Sequence, residues 1–206
     1  MLQTIARNLS RQIGSPADKR ALRGSVLQMA HTYQYPRPAV TTDCVIVAQP
    51  SPDRAAQLLL IRRKGEPYKG KWALPGGFVN EHEDLDTAAG RELQEETSVD
   101  PAQVTLTQVG TFGTPGRDPR GWTVTVAYAA LVPSTDLGVK AADDAEEAQW
   151  FDVCALPALA FDHKLIVKTA LNALAGRPET QKAAGALPSQ LATAAAQLME
   201  PWQEPA

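Results

Sequence analysis

"GGFVNEHEDLDTAAGRELQEETSV", residues 76–99, sets three carboxylates close together near its end: Glu92, Glu95 and Glu96. Leu85, Ala89 and Leu93 step by four through the same stretch, which predicts a helix over 84–97. On such a helix the three glutamates share one face while Leu93 turns toward a core. Like charges at these spacings repel by roughly 0.2–0.5 kcal/mol per pair in water, and a lone acidic triplet is most often a solvated face. A hard divalent cation reverses the sign, because carboxylate oxygens are the ligands Mg²⁺ or Mn²⁺ prefers, and Mg²⁺ typically joins a few of them to substrate phosphates.

Outward from this helix the chain reads mostly as strands. "AVTTDCVIVA" (39–48) and "AQLLLIRRK" (56–64) are apolar runs separated by the turn-rich "QPSPDR", predicting a hairpin or adjacent strands. "VTLTQVGTFG" (104–113) and "WTVTVAYAALV" (122–132) alternate like strands around the loop "TPGRDPRG". A short strand, "AQWFDV", then enters "ALPALAFDHKLIVKTALNALAG" (155–176), where Leu165, Ala170 and Leu171 suit a second packed helix. Strands mixed with isolated helices, without strict alternation, indicate an α+β chain or an α/β/α sandwich. The expected division is a helical extension at 1–35, a body at 36–176, and an Ala/Pro/Gln-rich tail at 177–206 with one helix-capable stretch, "SQLATAAAQLM".

Bulk properties narrow the function classes. The 206 residues are 44% apolar and 21% charged with a net charge of −3, so no general attraction to nucleic acid or anionic lipid is expected. No run of about 18 apolar residues is present, and no membrane span is expected. Cys44 and Cys154 lie in no metal-ligand spacing and read as buried free thiols. The acid-poor start, with Leu2, Ile5, Leu9 and Ile13 at helical spacing, reads as an amphipathic helix on a cytoplasmic protein, with organellar targeting left open.

In register around the glutamates stand Gly77, Glu83, Arg91, Glu92, Leu93, Glu95, Glu96 and Val99, eight positions over 23 residues. That pattern resembles the Nudix box, and the preceding "KWALPGG" resembles the family's lead-in strand and turn. The resemblance implies a Nudix fold, an α/β/α sandwich with a mixed sheet, and water attack on a diphosphate linked to another group. It implies that Glu92, Glu95 and Glu96, with the Gly76 carbonyl, ligate Mg²⁺ or Mn²⁺, and that Glu83 and Arg91 pair to lock the loop against the helix. The family keeps glycine where this chain has Ser98, because helices commonly end in the left-handed region that glycine enters without steric cost. Ser98 carries no ligand in this reading, so its expected effect falls on stability.

Pro115, sixteen residues after Val99, resembles the placement in the ADP-ribose pyrophosphatase subgroup, and "RDPRG" and "LAFDHKLIV" resemble Nudix proteins of NAD and ADP-ribose metabolism. The implied substrate is a small nucleotide, ADP-ribose, cleaved to AMP and ribose 5-phosphate, with Pro115 among the residues that contact it. Arg117 and Arg120 read either as bidentate clamps on phosphate or ribose or as a solvated basic loop paired with Asp118. Arg62, with Arg63 and Lys64, stands at a strand end and adds candidate substrate contacts or a solvated edge. Trp122 reads as core rather than as a stacking surface for adenine. Glu146 or Glu147, with Asp143 and Asp144 as competitors, is the expected activating carboxylate, and His163 reads as a polar helix-start residue.

Two other readings stay in view. One is hydrolysis of nucleoside triphosphates or dinucleoside polyphosphates. The other is a non-catalytic ADP-ribose sensor of the kind that carries a winged-helix DNA-binding module; the thirty residues after Gly176, two bases against three acids, are expected to be too short and too acidic for it. The resemblance also leaves a homodimer open, with segment 1–35 as a candidate for its interface.

Overall fold

The computed structural model describes residues 33–51, 53–141, 145–182 and 185–198. The helices expected over 1–35 fall almost wholly outside the described residues, as do Asp143, Asp144 and the end of the tail. All described elements belong to the unit that begins at Arg37.

Strand β1 (Ala39–Ala48) is the axis of the sheet. It runs parallel to β6 (Thr123–Val132) over ten consecutive pairs, from Ala39↔Thr123 to Ala48↔Val132. Its other edge is shared. β2 (Gln57–Arg63) meets β1 only at Val47↔Leu58 and Ala48↔Gln57, then splays away. β4 (Gly76–Phe78) occupies the edge of β1 that β2 leaves, pairing at Thr41, Thr42 and Asp43, while β3 (Trp72–Ala73) stays on β2. β5 (Thr107–Phe112) extends the sheet beyond β6, and β7 (Ala145–Asp152) covers the far edge of β2 with a bulge between Arg62 and Arg63. The pair expected from 39–48 and 56–64 is thus a wedge, closed at one end by two residue pairs and opened at the other by the Leu74–Pro75 turn.

Both faces of the sheet are apolar, as a strand covered on two sides requires. Val45 and Val47 of β1 with Ala127 and Ala129 of β6 join one core; Cys44, Ile46 and Ala48 with Val126, Tyr128 and Ala130 join the other. Helix α1 (Leu85–Thr97) buries Ala89 and Leu93 in the second core. Tyr128 ties it down by donating its hydroxyl to Asp86 at 2.6 Å. The first core is capped by α2 (His163–Ala175) and, beyond the short α3 (Pro178–Gln181), by α4 (Leu187–Gln197), whose Leu187, Leu191 and Ala194 are fully or almost fully buried. The result is an α/β/α sandwich in which residues 187–197, read from sequence as tail, pack in the core.

Three local expectations change. α2 begins at His163 rather than near Ala155: Pro157 cannot donate to a helix, and the Ala160 amide donates instead to the Trp72 carbonyl at 2.8 Å, beside a parallel bridge from Trp72 to Leu159. Within α2, Ile166 and Val167 are buried and Leu165 is exposed. Cys44 is buried, but Cys154 is exposed. No helix among the described residues is long and apolar enough to cross a membrane.

Candidate active site

The wedge between β1 and β2 carries the site. Gly76 and Gly77 lie opposite Asp43 and Thr42. A Cβ at Gly76 would overlap the Thr42 carbonyl oxygen, and one at Gly77 would fall 2.5 Å from a Glu92 carboxylate oxygen. Bare backbone is therefore required at Gly76, where it lets β4 close on β1, while at Gly77 it leaves the Glu92 carboxylate in place without a shift. The Gly76 amide donates to Glu96 Oε2 at 2.8 Å, tying the turn to the last turn of α1.

Arg91 organises the exposed side of the same helix. Its Nε and Nη2 fork onto Glu83 at 2.7 and 2.9 Å, and Glu83 also accepts the Asn80 amide at 2.9 Å. Nη1 reaches Glu92 at 2.7 Å and Glu95 at 2.8 Å, and Nη2 donates to the Phe78 carbonyl at 3.1 Å. The Arg91 guanidinium holds the Glu83 carboxyl down at about 2. Glu96 has the opposite environment: burial pushes it up to about 8, the Gly76 amide opposes this, and the charges of Glu92 and Asp43 add to it. Burial also raises Glu92.

Glu92 and Glu96 face a cleft of about 530 Å³ that Ile61, Arg63, Phe78 and Arg120 also line. Arg120 forks onto Asp118 at 3.0 and 2.7 Å, with its guanidinium 4.9 Å from the Phe78 ring centre and 5.6 Å from that of Phe161. The Arg63 guanidinium lies 4.9 Å from the same Phe161 ring. Guanidinium groups stack flat on aromatic faces, and here Arg120 gives one edge to Asp118 while Arg63 donates Nε to the Pro67 carbonyl at 2.8 Å. Sequence reading favoured Arg62 over Arg63 as a substrate contact. Leu58 to Ile61 are all buried, so no alternation fixed the phase of β2, and only the pairing does.

Several expected residues lie elsewhere. Arg62 is outside the cleft, with Glu146 and Glu147 each at 3.8 Å across the β2–β7 edge; all three are about half exposed, and such pairs contribute little. The two candidate activating acids thus serve an edge-strand ion pair made at the bulge. Arg117 is buried and turned inward, forking onto Asp162 at 2.9 and 2.6 Å. Pro115 is exposed in the β5–β6 loop and lines no part of the cleft. Trp122, expected in the core, is 55% exposed. His163 is buried and accepts the Leu74 amide on Nδ1 at 2.9 Å.

The donor set suits a hard divalent cation. Glu96 is a buried carboxylate that takes one backbone hydrogen bond and is destabilised as an anion by its surroundings, the electrostatic deficit that a bound cation fills. Glu92 and Glu96 share the cleft, whereas Glu95 is half-exposed and rests on Arg91. Among the described residues no three acidic, His or Cys side chains are gathered into one cage. Two carboxylates and backbone, completed by water and substrate phosphate, match the way Mg²⁺ is commonly held.

Residues 37–170 match the model of the NUDIX domain. The chain is 42% identical over 134 residues to the ADP-ribose pyrophosphatase of Methanocaldococcus jannaschii, covering 65% of this chain and 73% of that protein. It is 39% identical over 145 residues to the ADPR responsive transcriptional repressor NtrR of Acinetobacter baylyi, covering 68% of this chain and 56% of the repressor, little more than half its length. The NUDIX domain of Shewanella oneidensis NrtR, solved in complex with ADP ribose, superposes with a TM-score of 0.58 at 31% identity, covering 76% of this chain and 97% of that one.

Proposed function

Because the chain belongs to the NUDIX family, we propose that it hydrolyses ADP-ribose to AMP and ribose 5-phosphate, with a divalent cation held by Glu92, Glu96 and the Gly76 carbonyl, and with Glu95 joining them only if it leaves Arg91. The observation that carries this reading is the meeting, in one cleft, of the buried Glu96 and partly buried Glu92 carboxylates with the Arg63 and Arg120 guanidiniums. Acidic oxygens alone would repel a diphosphate, and guanidiniums alone would bind it without activating water. Side by side they bind and divide it.

The cation, when bound, neutralises diphosphate oxygens and lowers the pKa of a bound water. Arg63 and Arg120 hold phosphate or ribose oxygens, and their aromatic supports keep them oriented. Arg91 keeps Glu92 turned toward the cleft, and the Gly76 amide fixes one Glu96 oxygen so that the other remains for ligation. Water adds to one phosphorus, the bond from that phosphorus to the bridging oxygen breaks, and the bridging oxygen leaves on the other phosphate. Glu146 and Glu147 take no part in this scheme.

A second reading, ADP-ribose sensing without turnover, is favoured by the likeness to the repressor. The retained Glu92, Glu95 and Glu96 side with hydrolysis. Incubation with ADP-ribose and Mg²⁺ or Mn²⁺ is expected to release AMP and ribose 5-phosphate, to stop with EDTA and to resume on adding metal. Faster turnover of a nucleoside triphosphate would move the substrate, and saturable binding without products would give the reading to the sensor. Glu96→Gln is expected to lower kcat by on the order of 10²–10³-fold with the circular dichroism spectrum unchanged; an active variant would overturn the metal assignment.

A further inference from the structure

The triplet Phe161-Asp162-His163, at the corner where the chain enters α2, sends its three side chains to three different parts of the site. Phe161 has a backbone φ of 52°, a left-handed conformation that costs a bulky residue roughly 1–3 kcal/mol. Its ring lies under both Arg63 and Arg120. Asp162 takes the Arg117 fork. His163 takes the Leu74 amide on Nδ1, 89 residues distant in sequence, and places Nε2 3.4 Å from Asp43 Oδ1. Asp43 is itself held by the Thr125 hydroxyl at 2.6 Å and stands 3.8 Å from Arg117.

The Leu74–Pro75–Gly76 turn therefore has three tethers. Its first amide goes to His163, its middle carbonyl accepts the Cys44 amide at 2.8 Å, and its last amide goes to Glu96. The middle tether is a backbone contact that any sequence of the same shape would make, whereas the outer two end on the Glu96 carboxylate and the His163 ring. The His163 tether is chemical: it needs an acceptor at Nδ1, which a neutral ring with its proton on Nε2 supplies. His163 and Asp43 are both almost fully buried, and burying such groups costs free energy that an apolar pair of similar volume would avoid. What the polar pair provides instead is a fixed position for the turn.

We propose that His163 is a positioning residue for the reaction: by accepting the Leu74 amide, it sets the Leu74–Gly76 turn so that the Gly76 backbone meets Glu96 in the geometry turnover needs. The proposal rests on the diphosphate-hydrolase reading for its kinetic consequence, but the tether itself exists in the protein alone. Outer hydrogen-bond partners of this kind typically contribute roughly 10–100-fold to metal affinity or activity. The His163 ring also lies 5.2 Å from the Phe161 ring under Arg63 and Arg120; Asn and Gln at 163 remove that ring contact alike, so a difference between them in kcat reads the tether alone.

The test compares two substitutions of like polarity in the full-length chain. His163→Asn keeps an acceptor near the Nδ1 position and is expected to retain kcat within about threefold of the parent. His163→Gln carries its polar group to the Nε2 position, toward Asp43, and is expected to lose roughly 10–100-fold in kcat with KM little changed. Amide hydrogen exchange at Leu74, measured without metal, is expected to quicken in the Gln variant and stay slow in the Asn variant. If the parent hydrolyses no diphosphate, the functional reading fails while the exchange result still decides the tether. Equal kcat in the two variants at equal melting temperature, a loss confined to KM, or slow Leu74 exchange in both would overturn the proposal.

Discussion

Arg91 forks onto Glu83, eight residues away, and Arg117 forks onto Asp162, 45 residues away. The first fork lies at the mouth of the cleft with its arginine side chain 24% exposed; the second lies beneath it with its arginine 4% exposed. Near water, an ion pair contributes little to stability, and its work is to orient the Glu92 and Glu95 carboxylates that Arg91 also holds. Below the surface, each charge depends on the other, because removing either leaves an uncompensated ion in a poorly solvated place. In the proposed scheme one arginine serves the chemistry and the other serves the fold, although both looked like site residues in the sequence.

That contrast fixes the order of the expected effects. Arg117→Ala is expected to cost about 3–5 kcal/mol, a Tm drop of roughly 10 °C in a thermal melt. Arg91→Ala is expected to cost about 1 kcal/mol or less while lowering kcat roughly 10–100-fold. A melt in which Arg91→Ala is the less stable of the two would break the comparison.

A smaller effect sharpens it through pH. In EDTA, the folded pKa of Glu96 is raised from 4.5 to about 8, so the folded protein binds more protons than the unfolded chain between those values. The stability this contributes is fully present below 4.5 and is lost as pH rises toward 8. Burial lowers His163 from 6.5; its contribution is present above 6.5 and lost as pH falls through the lowered value. Melts in EDTA between pH 6.5 and 8.5 are therefore expected to show Tm falling with pH in the parent and a flatter profile in Glu96→Gln. A fall of equal size in both would assign the trend to other groups.

The smallest effect belongs to Ser98, which ends α1 at φ 61° and donates its hydroxyl to the Lys140 carbonyl at 3.2 Å. A non-glycine residue there carries roughly 1–2 kcal/mol of strain, partly offset by that hydrogen bond. Ser98→Gly is expected to raise stability by about 1 kcal/mol with kcat unchanged. A large gain in kcat without a Tm shift would tie Ser98 to catalysis.

What was legible in the sequence was what is local in the chain. The α1 helix, its acid face and the Gly77–Glu83–Arg91 spacing all lie within 23 residues, and helical periodicity carries them into space directly. The strands were legible as strands, but their partners were not. The β1–β6 pairing joins residues more than eighty positions apart, and nothing in "AVTTDCVIVA" specifies a parallel neighbour. The same limit explains Arg117, in a loop, and His163, at a helix start: each is a polar residue whose burial depends on a distant partner. Arg62 and Arg63 differ only by strand phase, which a fully buried run conceals.

β4 is three residues long, and its alignment with β1 decides which glycine meets which group: Gly76 stands against Asp43 and donates to Glu96, while Gly77 leaves space for Glu92. A strand exchanges faces with every single-residue slip. Adding or deleting one residue between Ala73 and Gly76 would therefore interchange these duties even if every original side chain were retained. In this tract, the count of residues is as much a part of the chemistry as their identity, so gene variants that alter its length are expected to be more damaging than most that alter its spelling.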